Sequence, residues 1–139
     1  MPLSVHHLAV VVSDLNRSEA FYSGLLGLPV IKRHVDTQGA PRSVWVQMGA
    51  NAFLAIERAE ASGPTRADNA PGHHCVAFSI PASERTTFAE RLQKAGFPIA
   101  RETDYTLYTI DPDGNLVAFS HYPTAAEHPP KKAMPGSAR

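Results

Sequence analysis

Four side chains in this 139-residue sequence have the donor atoms that divalent metal ions prefer, namely imidazole nitrogen, carboxylate oxygen and sulfur. They are His7, Glu57, His74 and Cys75. His7 opens an apolar run near the start of the chain, and Glu57 closes another. An ion held by such ligands would polarise neighbouring substrate oxygens and stabilise the negative charge that develops on them. The candidates are far apart in sequence, so only a fold that gathers several strands could make them one site.

Each candidate also has a structural interpretation. His7 shares a strand face with Ala9 and Val11, where a buried imidazole bonded to a backbone carbonyl is an alternative to a pocket residue. Glu57 at a strand end can be a solvated carboxylate, and a single buried cysteine such as Cys75 is often a packing residue. His74 falls on the opposite face from Cys75 unless the strand begins with a bulge.

The elements that must position these residues follow from hydrophobic periodicity and turn signals. A strand over 3–12 is followed by a helix that Ser13 or Asp14 can cap and that Gly27 ends. Three strands come next, and after a stretch without periodic pattern the plan repeats, with Ser83 as the cap of the second helix. The predicted later elements are strands near 30–35, 43–48, 52–57, 75–80, 105–110 and 116–121 and a helix to about residue 95. This order predicts an α+β domain.

Composition excludes several classes of function. Thirteen basic and thirteen acidic residues give a formal net charge of zero, which offers no electrostatic basis for nucleic-acid or membrane-surface binding. No apolar run approaches the roughly 20 residues that span a bilayer, and no signal peptide is evident. A single cysteine cannot form an internal disulfide. We therefore expect a cytoplasmic protein without nucleic-acid or membrane partners.

Three motifs in this order resemble those of one family. The motifs are His7-Leu-Ala-Val-Val-Val-Ser-Asp-Leu, Phe21-Tyr22 with Leu26-Gly27-Leu28, and Asp111-Pro-Asp-Gly-Asn115. The sequence is similar to the vicinal oxygen chelate superfamily, which includes glyoxalase I, fosfomycin- and bleomycin-resistance proteins and extradiol dioxygenases. The resemblance implies two tandem βαβββ modules that form a curled mixed sheet around one site. It covers a single domain over 1–122, with module one at 3–58, a linker at 59–72, module two at 73–122 and a flexible tail at 123–139.

The resemblance also implies where a metal would bind. Metal-dependent members usually place ligands on the first and last strand of each module. His7 matches the first position, and the family spacing places Cys75 at the third. Ala118 stands where metalloenzymes normally carry a glutamate, and aligning the two module ends pairs Ala55 with that position. A Zn, Ni, Fe or Mn ion would then depend on His7, Glu57 and His74.

Two functions are consistent with these residues. One is a diverged glyoxalase-like protein with an incomplete metal site that binds a small apolar or aromatic molecule in the sheet cup. The pocket residues expected for it are His7, Trp45, Ala55, Cys75, Tyr108, Ala118 and Ser120. The alternative is a divalent-metal-dependent enzyme of the lyase/isomerase or dioxygenase type that uses His7, Glu57 and His74. In either case the family and the exposed sheet edges imply a homodimer.

Overall fold

The computed structural model describes residues 3–61, 63 and 71–123, which form two four-stranded sheets with helices packed on them. The first unit contains β1 (His7–Val12), α1 (Leu15–Glu19) with a π-helical continuation (Ala20–Leu25), β2 (Val30–Val35), β3 (Pro41–Met48) and β4 (Ala52–Arg58). The second unit contains β5 (Cys75–Ser79), a 3-10 turn (Ala82–Glu84), α2 (Arg85–Lys94), β6 (Arg101–Glu102), β7 (Thr106–Ile110) and β8 (Leu116–Ser120). No helix among these residues is long and apolar enough to cross a bilayer.

Both sheets have the same topology. Sheet 1 has the order β1-β4-β3-β2, and sheet 2 has the order β5-β8-β7-β6. In each sheet the first strand pairs in parallel with the last, and the remaining pairs are antiparallel. This repetition confirms the predicted α+β fold of two tandem βαβββ modules. Residues 124–139 of the predicted tail (123–139) and most of the linker lie outside the described residues, so the domain boundaries stay predictions.

The first helix widens at the point where it contacts the second module. Asp14 caps its start, accepting a hydrogen bond from the Arg17 backbone N–H at 3.2 Å. Its second half is π-helical, and Phe21 and Tyr22 are both buried, at 1% and 0% exposure, although they are consecutive. The π-helical turn therefore coincides with the place where two consecutive rings are buried against the core.

One continuous core joins the two modules. It combines strand residues of both sheets with Phe21, Tyr22 and Leu92 from the helices. The Phe21 ring lies 4.7 Å from that of Phe97, and the Tyr22 hydroxyl donates a 2.7 Å hydrogen bond to the Asp111 carboxylate. Each sheet therefore buries the face that carries its large aliphatic residues and leaves the other face away from the helices.

Two local expectations need correction. The strand expected over 3–12 begins only at His7, and residues 3–5 are exposed. Ser83 does not cap the second helix, because a 3-10 turn occupies residues 82–84 and α2 begins at Arg85 with no side-chain cap. The Pro81 backbone is extended, which places the turn one residue earlier than the serine predicts.

Candidate ligand-binding faces

The open face of sheet 1 is the surface that points away from the helices. Its residues alternate with the core residues along each strand. Strand pairing arranges them in three rows across the sheet. The rows are His7–Phe53–Gln47, then Ala9–Ala55–Trp45–Lys32, then Val11–Glu57–Ser43–His34. The sequence-predicted residues His7, Trp45, Ala55 and Glu57 therefore share one surface.

Four rings run across the open face of sheet 1 in contact with one another. His7 stacks on Phe53 with centroids 4.8 Å apart and planes 7° from parallel. Phe53 stacks on Trp45 at 4.4 Å, and Trp45 meets His34 at 4.6 Å. Planar rings in offset or tilted contact make a rigid apolar surface. The surface is suited to a flat ligand.

Sequence reasoning missed Lys32 and His34 on this face because β2 contains a register irregularity. Val30 pairs with Val46 on the core side, yet Lys32 pairs with Trp45 on the open side. One extra residue between them reverses the alternation. Counting by twos from Val30 would place both basic side chains against the helices. Phe53, by contrast, could have been found, since it alternates with Ala55.

Three polar atoms on this face are buried and have no hydrogen-bond partner within the part of the chain that the structure describes. They are Ser43 Oγ, Trp45 Nε1 and His34 Nε2. Ser43 is 1% exposed and lies opposite both His34 and Glu57 in the strand register. A buried donor or acceptor without a partner costs about 1–3 kcal/mol. These atoms therefore favour an additional polar group at the surface above them.

The open face of sheet 2 has the same plan. Its rows are Cys75–Leu116–Ile110, then Ala77–Ala118–Tyr108–Arg101, then Ser79–Ser120–Thr106. Arg101 extends from the far edge strand, with its guanidinium 4.8 Å from the Tyr108 ring, and Nη2 donates to His74 Nε2 at 3.1 Å. His74 precedes β5 at the opposite edge, so the arginine and histidine side chains together span the sheet. Ala118 lies between them in the register and is 1% exposed.

The Ser120 hydroxyl already forms several hydrogen bonds within the protein. Its hydroxyl accepts a hydrogen bond from Thr106 Oγ1 at 2.9 Å and donates one to the Tyr105 carbonyl at 3.3 Å. It also accepts from the Tyr122 backbone N–H at 3.1 Å. A ligand on this face would therefore meet Tyr108, Arg101 and the alanines before it found a hydrogen-bonding group on Ser120.

Comparing the two registers aligns the modules residue by residue. His7 corresponds to Cys75, and Ala55 corresponds to Ala118. Trp45 corresponds to Tyr108 in the same way, and Lys32 to Arg101. The last strand of each module thus carries alanine at its equivalent position. A methyl group neither binds a metal ion nor accepts a proton.

The predicted metal ligands do not converge within one chain. Glu57 follows Phe53, the register partner of His7, by four residues, which is about 13 Å along the strand. His7 lies flat on Phe53, and its Nδ1 is 2.9 Å from His6 Nδ1. His74 Nε2 already accepts from Arg101. Across the described ranges no three His, Cys, Asp or Glu side chains are grouped to hold a metal ion.

The thiol of Cys75 is a weak ligand in this environment. Burial raises its pKa above the ordinary value, and the nearby Arg101 charge only partly opposes that shift. The protonated thiol therefore predominates at neutral pH, whereas a metal ion binds the thiolate. Together with the two alanines, this leaves an imidazole as the clearest donor among the predicted ligand positions.

The sequence profile of the Glyoxalase/Bleomycin resistance protein/Dioxygenase superfamily matches residues 4–119. The chain belongs to this superfamily. The match covers both modules and both open faces, so the duplicated fold and the resemblance lead to the same assignment. Among curated proteins, none is similar enough in sequence to match the chain.

Solved structures support the fold. The fosfomycin resistance protein FosX from Listeria monocytogenes is 22% identical with a TM-score of 0.71, over 93% of this chain and 98% of that one. A glyoxalase/dioxygenase from Nostoc punctiforme is 19% identical with a TM-score of 0.70, over 84% and 88% of the two chains. A mutant of the Listeria FosX, 19% identical with a TM-score of 0.71 over 88% and 94%, was solved with Mn(II) and 1S,2S-dihydroxypropylphosphonic acid.

Proposed function

We propose that this protein is a diverged glyoxalase-like binding protein that holds a small apolar or aromatic molecule on its open sheet faces. The observation that carries the proposal is the pair of alanines, Ala55 and Ala118, at equivalent places on the last strands. Each alanine lies beside an aromatic ring, Trp45 or Tyr108. The alanines supply no charge to a metal ion, and the partly exposed rings beside them form an apolar surface on which a flat molecule can pack.

A divalent-metal-dependent enzyme of the lyase/isomerase or dioxygenase type is the second candidate. It is favoured by two features, the Mn(II) complex of the FosX relative and the unpaired donors on sheet 1. Glu57 is half-buried and forms no ion pair with another described residue, and His7 bonds only through Nδ1. Because the donors do not meet within the chain, a metal site would require ligands from a second chain.

A homodimer is part of the same proposal. β1 and β5 are edge strands whose outer backbone groups pair with no other described strand. Val11, on the open face of β1, is 64% exposed, and Ile110 on sheet 2 is 45% exposed. An isologous pair that joins module one of one chain to module two of its partner would cover these side chains and bring the two faces together. Light scattering on the purified protein measures its oligomeric state. A protein that is monomeric at about 100 µM would contradict the homodimer, because a dimer with a Kd of about 10 µM is mostly formed at that concentration.

Calorimetry distinguishes the two functions. Protein stripped with a chelator is titrated with Mn(II), Ni(II), Zn(II) and Fe(II), and then with 2-naphthamide as a neutral planar probe. The binding proposal predicts no micromolar metal uptake, together with saturable naphthamide binding that Trp45→Ala or Tyr108→Ala weakens more than His7→Ala does. Tight one-to-one metal uptake that is lost in His7→Ala would instead overturn the binding proposal and favour the metal-dependent candidate.

A further inference from the structure

We infer that the ligand is an aromatic anion, a planar ring with a carboxylate or similar acidic group, and that Lys32 and Arg101 recognise its charge. This inference rests on the proposed function and names the class of molecule that the open faces select. Neither residue was expected from the sequence to take part in binding.

A cation lies over an aromatic ring at the same position in both modules. Lys32 Nζ is 5.9 Å from the centroid of Trp45, and the Arg101 guanidinium is 4.8 Å from that of Tyr108. In each sheet the cation is on the edge strand and the ring is on its neighbour. The residues that flank the two cation–ring pairs in sequence are different. The shared arrangement therefore follows from the equivalent strand pairing in the two sheets. A ring placed beside Trp45 or Tyr108 would carry its substituent toward the adjacent cation.

Lys32 forms no ion pair with a described acid, unlike three of the arginines. Arg33 is paired with Glu19, Arg58 with Asp36 and Arg85 with Glu102. The Lys32 ammonium has no carboxylate within ion-pair distance among the residues that the structure describes. Glu57 is the acid on the same face, but it lies two strands away, about 10 Å at the backbone. An anionic group on a ligand can therefore reach Lys32 without meeting Glu57.

Two of the polar groups on the open face of sheet 1 can act only as hydrogen-bond donors. The ammonium of Lys32 and the indole Nε1 of Trp45 are donors only, and the Ser43 hydroxyl can donate as well. Trp45 Nε1 and Ser43 Oγ are buried without partners among the described residues, as is His34 Nε2, which donates or accepts according to its tautomer. A carboxylate has only acceptor sites at neutral pH, so one such group complements this set better than an amide or an alcohol, which also bring a donor. Charge and hydrogen bonding thus favour the same chemistry.

The exposed alanines on the edge strands, Ala9 and Ala77, leave room for the ring of the ligand, whereas Ala55 and Ala118 are 3% and 1% exposed and are covered by their neighbours. Ala9 and Ala55 continue the row of Trp45 and Lys32 across sheet 1, and Ala77 and Ala118 continue that of Tyr108 and Arg101. Larger side chains there would fill the space next to the aromatic wall. Each row therefore offers a ring against which a ligand ring can lie and, beside it, a cation for the acidic group of the ligand.

The test compares two probes that share a ring and differ in charge. Isothermal titration measures 2-naphthoate and 2-naphthamide binding to the full chain at low salt. The anion is expected to bind about fivefold more tightly, the upper value for an ion pair at a partly exposed site. Lys32→Gln and Arg101→Gln are each expected to reduce that preference, and Lys32→Arg to retain it. Raising the ionic strength to about 0.5 M is expected to narrow the difference, because the charges are solvent-accessible.

Two further variants control for net charge. Arg33→Gln removes a positive charge from the same strand, but its side chain lies on the helix side with Glu19, so the preference for naphthoate is expected to remain. Glu57→Gln removes the negative charge of the open face and is expected to strengthen naphthoate binding by about twofold, within the range for exposed charges.

The outcomes separate the inference from the proposed function. Equal affinity for naphthoate and naphthamide, or a preference that Arg33→Gln abolishes as fully as Lys32→Gln, would overturn the anion inference and leave the binding function in place. If neither probe binds at millimolar concentration, the proposed function fails and the inference fails with it. A preference for naphthoate over naphthamide that depends on Lys32 or Arg101 supports both the anion inference and the binding function.

Discussion

The hydrogen bond between Tyr22 and Asp111 joins residues 89 positions apart and connects the two modules. Tyr22 is completely buried and Asp111 is 4% exposed. The change Tyr22→Phe keeps the ring and removes only the hydroxyl. Asp111 retains the backbone N–H groups of Asp113 and Asn115 and the Asn115 side-chain amide as donors, so its carboxylate is not left without partners.

The expected loss follows from this environment. A hydrogen bond to a charged group is worth about 1.5–3 kcal/mol, and we expect about 2 kcal/mol here. For an ordered region of this size that corresponds to a Tm lower by about 8 °C. It should also lower the urea midpoint by about 1 M. Tyr108→Phe is the matched control, since its ring is half-buried and its hydroxyl bonds to no described residue; its effect should stay below about 0.5 kcal/mol.

Alkaline pH gives an independent readout of the same bond. Burial, and then the neighbouring Asp111 charge, raise the pKa of Tyr22 far above its ordinary value. The folded state therefore keeps the phenol protonated where the unfolded state ionises. The contribution of the buried phenol to the free energy of unfolding is fully present below about pH 10, the ordinary tyrosine pKa, and falls by about 1.4 kcal/mol per pH unit above it. The difference between the wild type and Tyr22→Phe should shrink to under about 1 kcal/mol at pH 11.

Urea titrations of the wild type and both variants at pH 8 and pH 11 measure these quantities. Tyr22→Phe unfolding at the wild-type midpoint would refute the argument that this hydroxyl stabilises the module contact. A difference that stays constant between the two pH values would refute the argument that the buried phenol resists ionisation.

Two further predictions concern the first helix and the thiol. Gly27 has φ 78° and an added methyl would meet no atom within 4 Å, so Gly27→Ala should lower the free energy of unfolding by about 1 kcal/mol through backbone strain alone. Gly24 has the same free space but no positive φ, so Gly24→Ala should raise the free energy of unfolding by about 0.5–1 kcal/mol. Urea unfolding that shows effects of the same sign for the two variants would contradict this. Because burial raises the pKa of Cys75, its thiol should react with iodoacetamide at pH 7.5 more slowly than free glutathione does. The reaction should be slower still in Arg101→Gln, because that variant removes the charge that opposes the pKa shift. A Cys75 thiol that reacts faster than glutathione would contradict this prediction.

Local patterns in the sequence were sufficient for the elements and for the family. Alternation identified the strands of both modules except the two-residue β6, which is too short to show a pattern. Asp14 caps the first helix as one of the two predicted candidates, and the predicted turn at 111–115 joins β7 to β8. The repeat of the plan predicted two equivalent modules, because each unit encodes its own strand order. The same reasoning aligned Ala55 with Ala118, as the registers of the two sheets do.

Tertiary structure decided the composition of the open faces. The irregularity in β2 turns Lys32 and His34 toward Trp45, and no turn residue in the sequence signals it. The reach of Arg101 across Tyr108 to His74 depends on sheet order, which brings residues 27 positions apart to opposite edges of one surface. A strand pattern specifies which residues alternate, since alternation is a property of the local backbone. Which cation covers which ring depends on strand pairing between distant segments, and that is settled only when the sheets have formed.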